Sequence, residues 1–252
     1  MRVLLINGNT SESITQALLA EAQRNAAPDT VVFAAKCTRG AEVIASRSAE
    51  VVAAHAMLEA IAAVKEPYDA VLVGISYDTA VAALRELLSV PVVGMTEAAC
   101  HVATMVGSRF GVVLPGARNA AFYRERIVGC GFEPRLAGMR VVGSSAAALY
   151  ADPDSSLELI RNASQALVSE ERCDSLVLAG AALVGLHRQI QPDIPVPVID
   201  GIACGVGMLE SLVRLNFPKP QAGSYATPAP ARLDHIDPVL ADLFSHPAGQ
   251  QS

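Results

Sequence analysis

Two stretches of the chain close an apolar run with a cluster of polar side chains. "RVLLINGNTS" brings Asn7, Asn9, Thr10 and Ser11 together, and "AVLVGISYDT" does the same with Ser76, Tyr77, Asp78 and Thr79. Such side chains, placed where a strand ends and a helix begins, suit a carboxylate or a polarised carbonyl, because the free N–H groups and positive dipole end of the helix face the same space. Capping alone would also account for them: Asn9, Thr10 and Ser11 precede the helical pattern "ITQALLAEAQRNA", and Asp78 and Thr79 precede "AVAALREL". Asp78 is a candidate general base or an acceptor for a ligand amide, and Ser76 a candidate nucleophile or hydrogen-bond donor. A serine nucleophile needs an adjacent base, and neither stretch supplies a histidine, so the donor role is favoured for Ser76.

The remaining reagent types are scattered. Cys37, Cys100, Cys130, Cys173 and Cys204 form no CxxC pair and no cluster with histidine, which argues against a disulfide framework or a zinc site and for reduced, mostly buried thiols. Of five histidines, His187 lies nearest a predicted strand end, about two helical turns beyond it, and reads as non-catalytic. No metal and no cofactor is expected.

The elements that must position these residues follow from the apolar runs. They fall at 2–7, 30–35, 70–76, 90–95, 109–114, 175–180 and 196–200, separated by Ala-rich segments of helical period. Continuous rather than alternating runs mark strands buried on both faces, as in a parallel sheet covered by helices. The chain also repeats itself. "DAVLVGIS" at Asp69 returns as "DSLVLAGA" at Asp174, 105 positions on; "PVVGMTEAA" at Pro91 returns as "PVIDGIACG" at Pro197, 106 on; "RVLLING" at Arg2 returns as "RFGVVLPG" at Arg109, 107 on. Three pairs in one order at nearly one offset predict an α/β protein of two pseudo-symmetric lobes, each a mostly parallel sheet flanked by helices, with the active site in the cleft between them. "NGNTS" (7–11) and "SYDT" (76–79) should line one wall, "PGARN" (115–119) and "GAALVG" (180–185) the other, which adds Gly180, Ala181 and Ala182 to the candidate binding residues.

The expected organisation is a first lobe from 1–98 together with about 208–225, a second from 99–207, and a Pro/Ala-rich tail over 226–252 carrying a short helix near Asp237–Phe244. The 252 residues are 52% hydrophobic, with 19 Lys and Arg against 25 Asp and Glu, a net charge of −6 and no basic cluster. Nucleic acid and anionic membrane are poor partners for that balance. Five apolar residues before Asn7 are too few for a signal sequence or a membrane span, and a cytoplasmic location is expected.

Taken together, "INGNT" (6–10), Ile75-Ser76-Tyr77-Asp78 and "LAGAAL" (178–183) resemble the aspartate/glutamate/hydantoin racemase superfamily, and most of all its hydantoin and allantoin racemase branch, over residues 1 to about 225. That branch shows "INPNT", Cys-Phe-x-Asp and "LGCAGM" at these places. The resemblance implies inversion at Cα by two cysteines on opposite faces of the substrate, one from each lobe, without a cofactor and in a homo-oligomer. At the two cysteine positions this chain has Ile75 and Gly180, with Ser76 beside the first. The binding frame carries over and the thiol pair does not. A racemase or epimerase acting on a hydantoin, allantoin or amino-acid-like small molecule is the direct implication. A cyclic-amide hydrolase, decarboxylase or isomerase using the same oxyanion-stabilising cleft is the first alternative, and a non-catalytic protein binding a small carboxylate or ureide the second.

Overall fold

The apolar runs become parallel strands in a computed structural model, which describes residues 1–143, 145 and 153–245. In chain order the elements are β1 (Arg2–Asn7), α1 (Glu12–Asn25), β2 (Val31–Lys36), α2 (Arg47–Ala62), β3 (Ala70–Val73), α3 (Val81–Leu87), β4 (Val92–Gly94), α4 (Met95–Val106), β5 (Phe110–Pro115) and α5 (Ala120–Gly129). They continue with β6 (Leu136–Val142), α6 (Pro153–Glu171), β7 (Ser175–Leu178), α7 (His187–Ile190), β8 (Val198–Asp200), α8 (Gly201–Leu215) and α9 (Pro238–Ser245).

The strands form two four-stranded parallel sheets ordered β2-β1-β3-β4 and β6-β5-β7-β8, so the lobes share one topology. In the first, Leu4 lies level with Phe33 on one side and Val71 on the other; in the second, Val112 lies level with Met139 and Val177. Central strands β3, β5 and β7 are buried along their whole length, which is why they read as unbroken apolar runs. Strand β6 was absent from the sequence reading. Its "LAGMRVV" is half-exposed at a sheet edge and interrupted by Gly138 and by Arg140, whose guanidinium meets Glu170 and Glu171 of α6.

One apolar core runs through both lobes, joining Leu4, Ile6 and Val71 of the first sheet to Phe110, Val112 and Val177 of the second. The lobes also exchange helices. Helix α4 leaves the end of β4 and packs on β5, β7 and β8, while α8 leaves the end of β8 and packs on β3, β4 and α1. We propose the divisions at residues 98 and 207 as the places, inside these two helices, where the chain passes from one lobe to the other.

After α8 the chain wraps back over the first lobe. The Lys219 ammonium donates to the carbonyls of Arg85, Glu86 and Leu88 at 2.7, 2.8 and 2.9 Å, capping the C-terminal end of α3. Helix α9 falls where a short helix was expected and seats Leu240 against α2. The tail's last residues, 246–252, lie outside the described residues. Among the described residues, no helix is long and apolar enough to cross a membrane.

Candidate active site

A cavity of about 640 Å³ opens between the lobes at the carboxyl ends of the strands. The first lobe contributes Asn9, Ser11, Ile75, Ser76 and Tyr77, and the second Pro115, Arg118, Asn119, Tyr123, Gly180, Ala181 and Ala182. All four sequence stretches expected at the cleft reach it.

The β1 end is organised by amides. Asn7 is fully buried and donates from Nδ2 to Asn9 Oδ1 at 2.9 Å and to Thr15 Oγ1 at 2.8 Å, while its own Oδ1 accepts from the Asn9 N–H. Asn9 Oδ1 accepts from the Ser11 N–H, and Ser11 Oγ caps α1 by accepting from Ile14 N–H. Asn9 and Ser11 therefore face the cavity, Asn7 shapes the turn beneath them, and Thr10 is tied through its N–H to the Ala41 carbonyl, away from the cavity lining.

At the β3 end the four polar residues separate. Ser76 and Tyr77 line the cavity; Asp78 and Thr79 do not. Asp78 caps a helix, but not the one that follows it: its carboxylate accepts from the N–H groups of Thr96 and Glu97 at 2.9 and 2.8 Å, at the start of α4, and meets Arg126 Nε at 3.3 Å. Burial raises the Asp78 carboxyl to about 6, opposed by Arg126 and by the two amides. With both oxygens engaged and no exposure, Asp78 is a scaffold for the loop rather than a base for a ligand. Thr79 is likewise turned away, its hydroxyl donating to Glu50 at 3.4 Å. The sequence had placed the α3 cap at Asp78 or Thr79, but that position is Ala80, in a left-handed conformation without a side-chain cap.

Ser76 Oγ lies 3.9 Å from Met95 Sδ and is close enough to the phenol of Tyr123 to influence it, so a first-lobe hydroxyl and a second-lobe one come together at the cavity. Tyr77 stacks on Phe122 with centroids 3.9 Å apart and leans on Tyr123 at 5.0 Å. Burial raises both phenols, Tyr77 to about 12, so both stay protonated donors near neutral pH. The N–H groups of Ser76 and Tyr77 meet no acceptor among the described residues, which leaves them available to a carbonyl oxygen in the cavity. The sequence reading missed Tyr123 and Phe122. Their signal was available, since "NAAFYRER" follows directly on the "PGARN" stretch assigned to the second wall.

Among the described residues lining the cavity, the one carboxylate is Glu42 and the one guanidinium Arg118, both exposed at its mouth. Two groups of ligand-type side chains lie close together elsewhere, Asp78–Glu97–Cys130 and Glu21–His187–Asp200. Other groups already meet their carboxylates: Arg126 and Arg85 in the first, and in the second Arg188 on Glu21 and the Gly185, Ile202 and Ala203 N–H groups on Asp200. His187 stands 3.7 Å from Asp200, outside the cavity lining.

The family model described as Asp/Glu/Hydantoin racemase matches residues 3–209. The chain belongs to this family. A hydantoin racemase of Paenarthrobacter aurescens is 32% identical over 230 residues, covering 90% of this chain and 98% of that protein. The allantoin racemase structures from Pseudomonas fluorescens and Klebsiella pneumoniae superpose with TM-scores of 0.89 and 0.88 at 32% and 31% identity, over 92% and 96% of this chain and 99% and 98% of theirs. Arylmalonate decarboxylase shares the fold at a TM-score of 0.59 and 16% identity.

Ile75 and Gly180, the residues that the sequence resemblance pairs with the family's cysteines, each follow the third strand in the order of their sheet and line the same cavity. None of the five cysteines lines it. Burial raises all five thiols, Cys37 and Cys204 to about 12, so no thiolate is poised for proton transfer.

Proposed function

We propose that this racemase-family enzyme is an isomerase acting at the Cα of a hydantoin- or allantoin-type ring held in the interlobe cleft. The observation that carries the reading is the joining of near-full-length similarity to hydantoin and allantoin racemases with a cavity bounded by both positions where that family keeps its reagents. A ring carbonyl directed at the N–H groups of Ser76 and Tyr77 and at the Ser76 hydroxyl would have its developing enolate oxygen stabilised, which acidifies the neighbouring C–H. Ser76 is assigned the donor role, and Asn9, Ser11, Tyr77, Ala181 and Ala182 the substrate wall. Asn7, Thr10, Asp78 and Thr79 hold that wall in place, and Gly180 leaves room beside Tyr123.

One observation favours a second reading. The interior of the cavity offers protonated donors, and among the described residues its single carboxylate stands at the mouth. Decarboxylation forms the same enolate without a base, because the electron pair of the breaking C–C bond supplies the carbanion. We further propose a cytoplasmic homo-oligomer, in keeping with five free cysteines and with the exposed Val51 and Val52 on α2.

The test is incubation in heavy water with 5-substituted hydantoins, allantoin and their 5-carboxylated analogues. Deuterium entering Cα together with loss of optical rotation supports the isomerase. Loss of carboxylate with deuterium entering Cα once supports the second reading, and a thermal shift without turnover means binding alone. Light scattering on the purified protein measures the oligomer.

A further inference from the structure

Helix α1 presents Ile14, Leu18 and Glu21 on one face, spaced as a helical stripe. Ile14 lines the cavity and Leu18 is fully buried, yet the third member is a carboxylate left 5% exposed. Its partner comes from the other lobe. Arg188 in α7 donates from Nη1 to Glu21 Oε2 at 2.8 Å and from Nη2 to Oε1 at 2.6 Å, and Asn25 Nδ2 adds a bond to Oε1 at 2.7 Å. Arg188 ends the loop whose Gly180, Ala181 and Ala182 form the second cavity wall. Within its own lobe that loop is held by Asp200, whose Oδ2 accepts from Gly185 N–H at 2.8 Å.

We propose that the Glu21–Arg188 pair is an interlobe latch that fixes the width of the cleft, making both of them positioning residues for the reaction. This rests on reading the cleft as the active site. The Tyr77–Phe122 stack and the Arg126–Asp78 contact also join the lobes, but stacked rings tolerate sliding and Arg126 reaches Asp78 through one nitrogen at 3.3 Å, whereas a two-bond guanidinium–carboxylate fork accepts one distance and one orientation. Parting the lobes would leave the Glu21 carboxylate buried without its partner, so opening is opposed by more than lost contact area. One end of α1 meets substrate and the latch stands two turns away on the same face, so a shift at Glu21 moves Ile14 with it.

Glu21→Gln removes the charge while keeping the shape, Arg188→Lys keeps the charge while removing the fork, and Leu18→Ala weakens the same helix face without touching the latch. Backbone amide exchange is followed over 8–15 and 180–188, together with kcat and KM on a turned-over hydantoin. The latch requires that Glu21→Gln speed exchange in both segments and raise KM by about tenfold or more with a smaller change in kcat, as expected when uniform binding is lost. Arg188→Lys should fall between it and the native protein, and Leu18→Ala should lower the melting temperature without the change in KM. Unchanged exchange in both segments for Glu21→Gln, or equal effects from Leu18→Ala, would overturn the latch. If neither a hydantoin nor allantoin is turned over by the native protein, the functional reading fails, and amide exchange still decides the latch by itself.

Discussion

At Gly180 the backbone adopts φ +118, and a Cβ there would meet Pro115 Cδ at 2.9 Å and the Tyr123 hydroxyl at 3.3 Å. The position that the resemblance pairs with the family's second cysteine is thus crowded and strained for a side chain in this chain. Ile75, at the first, is 5% exposed and belongs to the core. Returning a thiol to the two positions should therefore have unequal outcomes. Ile75→Cys should fold, while Gly180→Cys should cost about 1–3 kcal/mol from backbone strain alone, read as a lower urea midpoint at unchanged slope. Equal stability in the two variants would mean that the turn relaxes at Gly180. The native thiols lead to a second expectation: iodoacetamide should leave Cα exchange intact, whereas Ser76→Ala and Tyr123→Phe should each slow it by roughly tenfold or more. Substrate-protected inactivation by one labelled cysteine would refute the placement of the chemistry at Ser76 and Tyr123. The sequence exposed Ser76 because it follows an apolar run; for Tyr123 it marked the neighbourhood, beside "PGARN", but not the pairing with a residue 47 positions away.

Local sequence marked where helices begin, but not which carboxylate serves which helix. Ser11 caps the helix directly after it, whereas Asp78 reaches past α3 to the start of α4. In the second lobe the same join is made from the opposite end: Asp200 caps α8 through Ile202 and Ala203 N–H and reaches back to Gly185 in the loop after β7. Each lobe uses one buried carboxylate to tie its loop to its exchanged helix, a link between distant positions that spacing cannot reveal. Asp78→Asn should be costly, by roughly 1–3 kcal/mol, because it replaces the buried acceptor of two amides and leaves Glu97 as the carboxylate that meets Arg126. The pH dependence has a definite sign. Raised to about 6 from 3.8, the Asp78 carboxyl binds its proton more tightly when folded, so its contribution to stability is greatest below pH 4 and declines as pH rises towards 6. The native margin over Asp78→Asn in urea melts should shrink between pH 4 and pH 6.5. A margin that grows over that interval would mean that Arg126 outweighs burial.

The repeat at offsets of 105 to 107 made the two-lobed architecture legible, because strands buried on both faces keep their apolar signature when the rest of the sequence drifts. The exchange of α4 and α8 was not legible, since an amphipathic helix does not state which sheet it will cover. Where these helices begin, the two halves of the molecule come into backbone contact: a Cβ on Gly201, the first residue of α8, would overlap the carbonyl of Met95, the first residue of α4. Met95 also receives the Ser76 hydroxyl on its sulfur, so this crossing supports the cavity floor from behind. Gly201→Ala is a single methyl at a position whose helical φ tolerates alanine, and in an isolated helix it would stabilise by about 1 kcal/mol. Here the carbonyl cannot move without shifting the start of α4 and the Thr96 and Glu97 amides that hold Asp78. The variant should therefore be less stable than the native protein by about 1–3 kcal/mol and slower at the active site, with Gly207→Ala, where an added Cβ meets nothing, as the control on the same helix. Denaturant melts of the pair decide it: a Gly201→Ala protein as stable as Gly207→Ala would show that the two exchanged helices are not braced against each other.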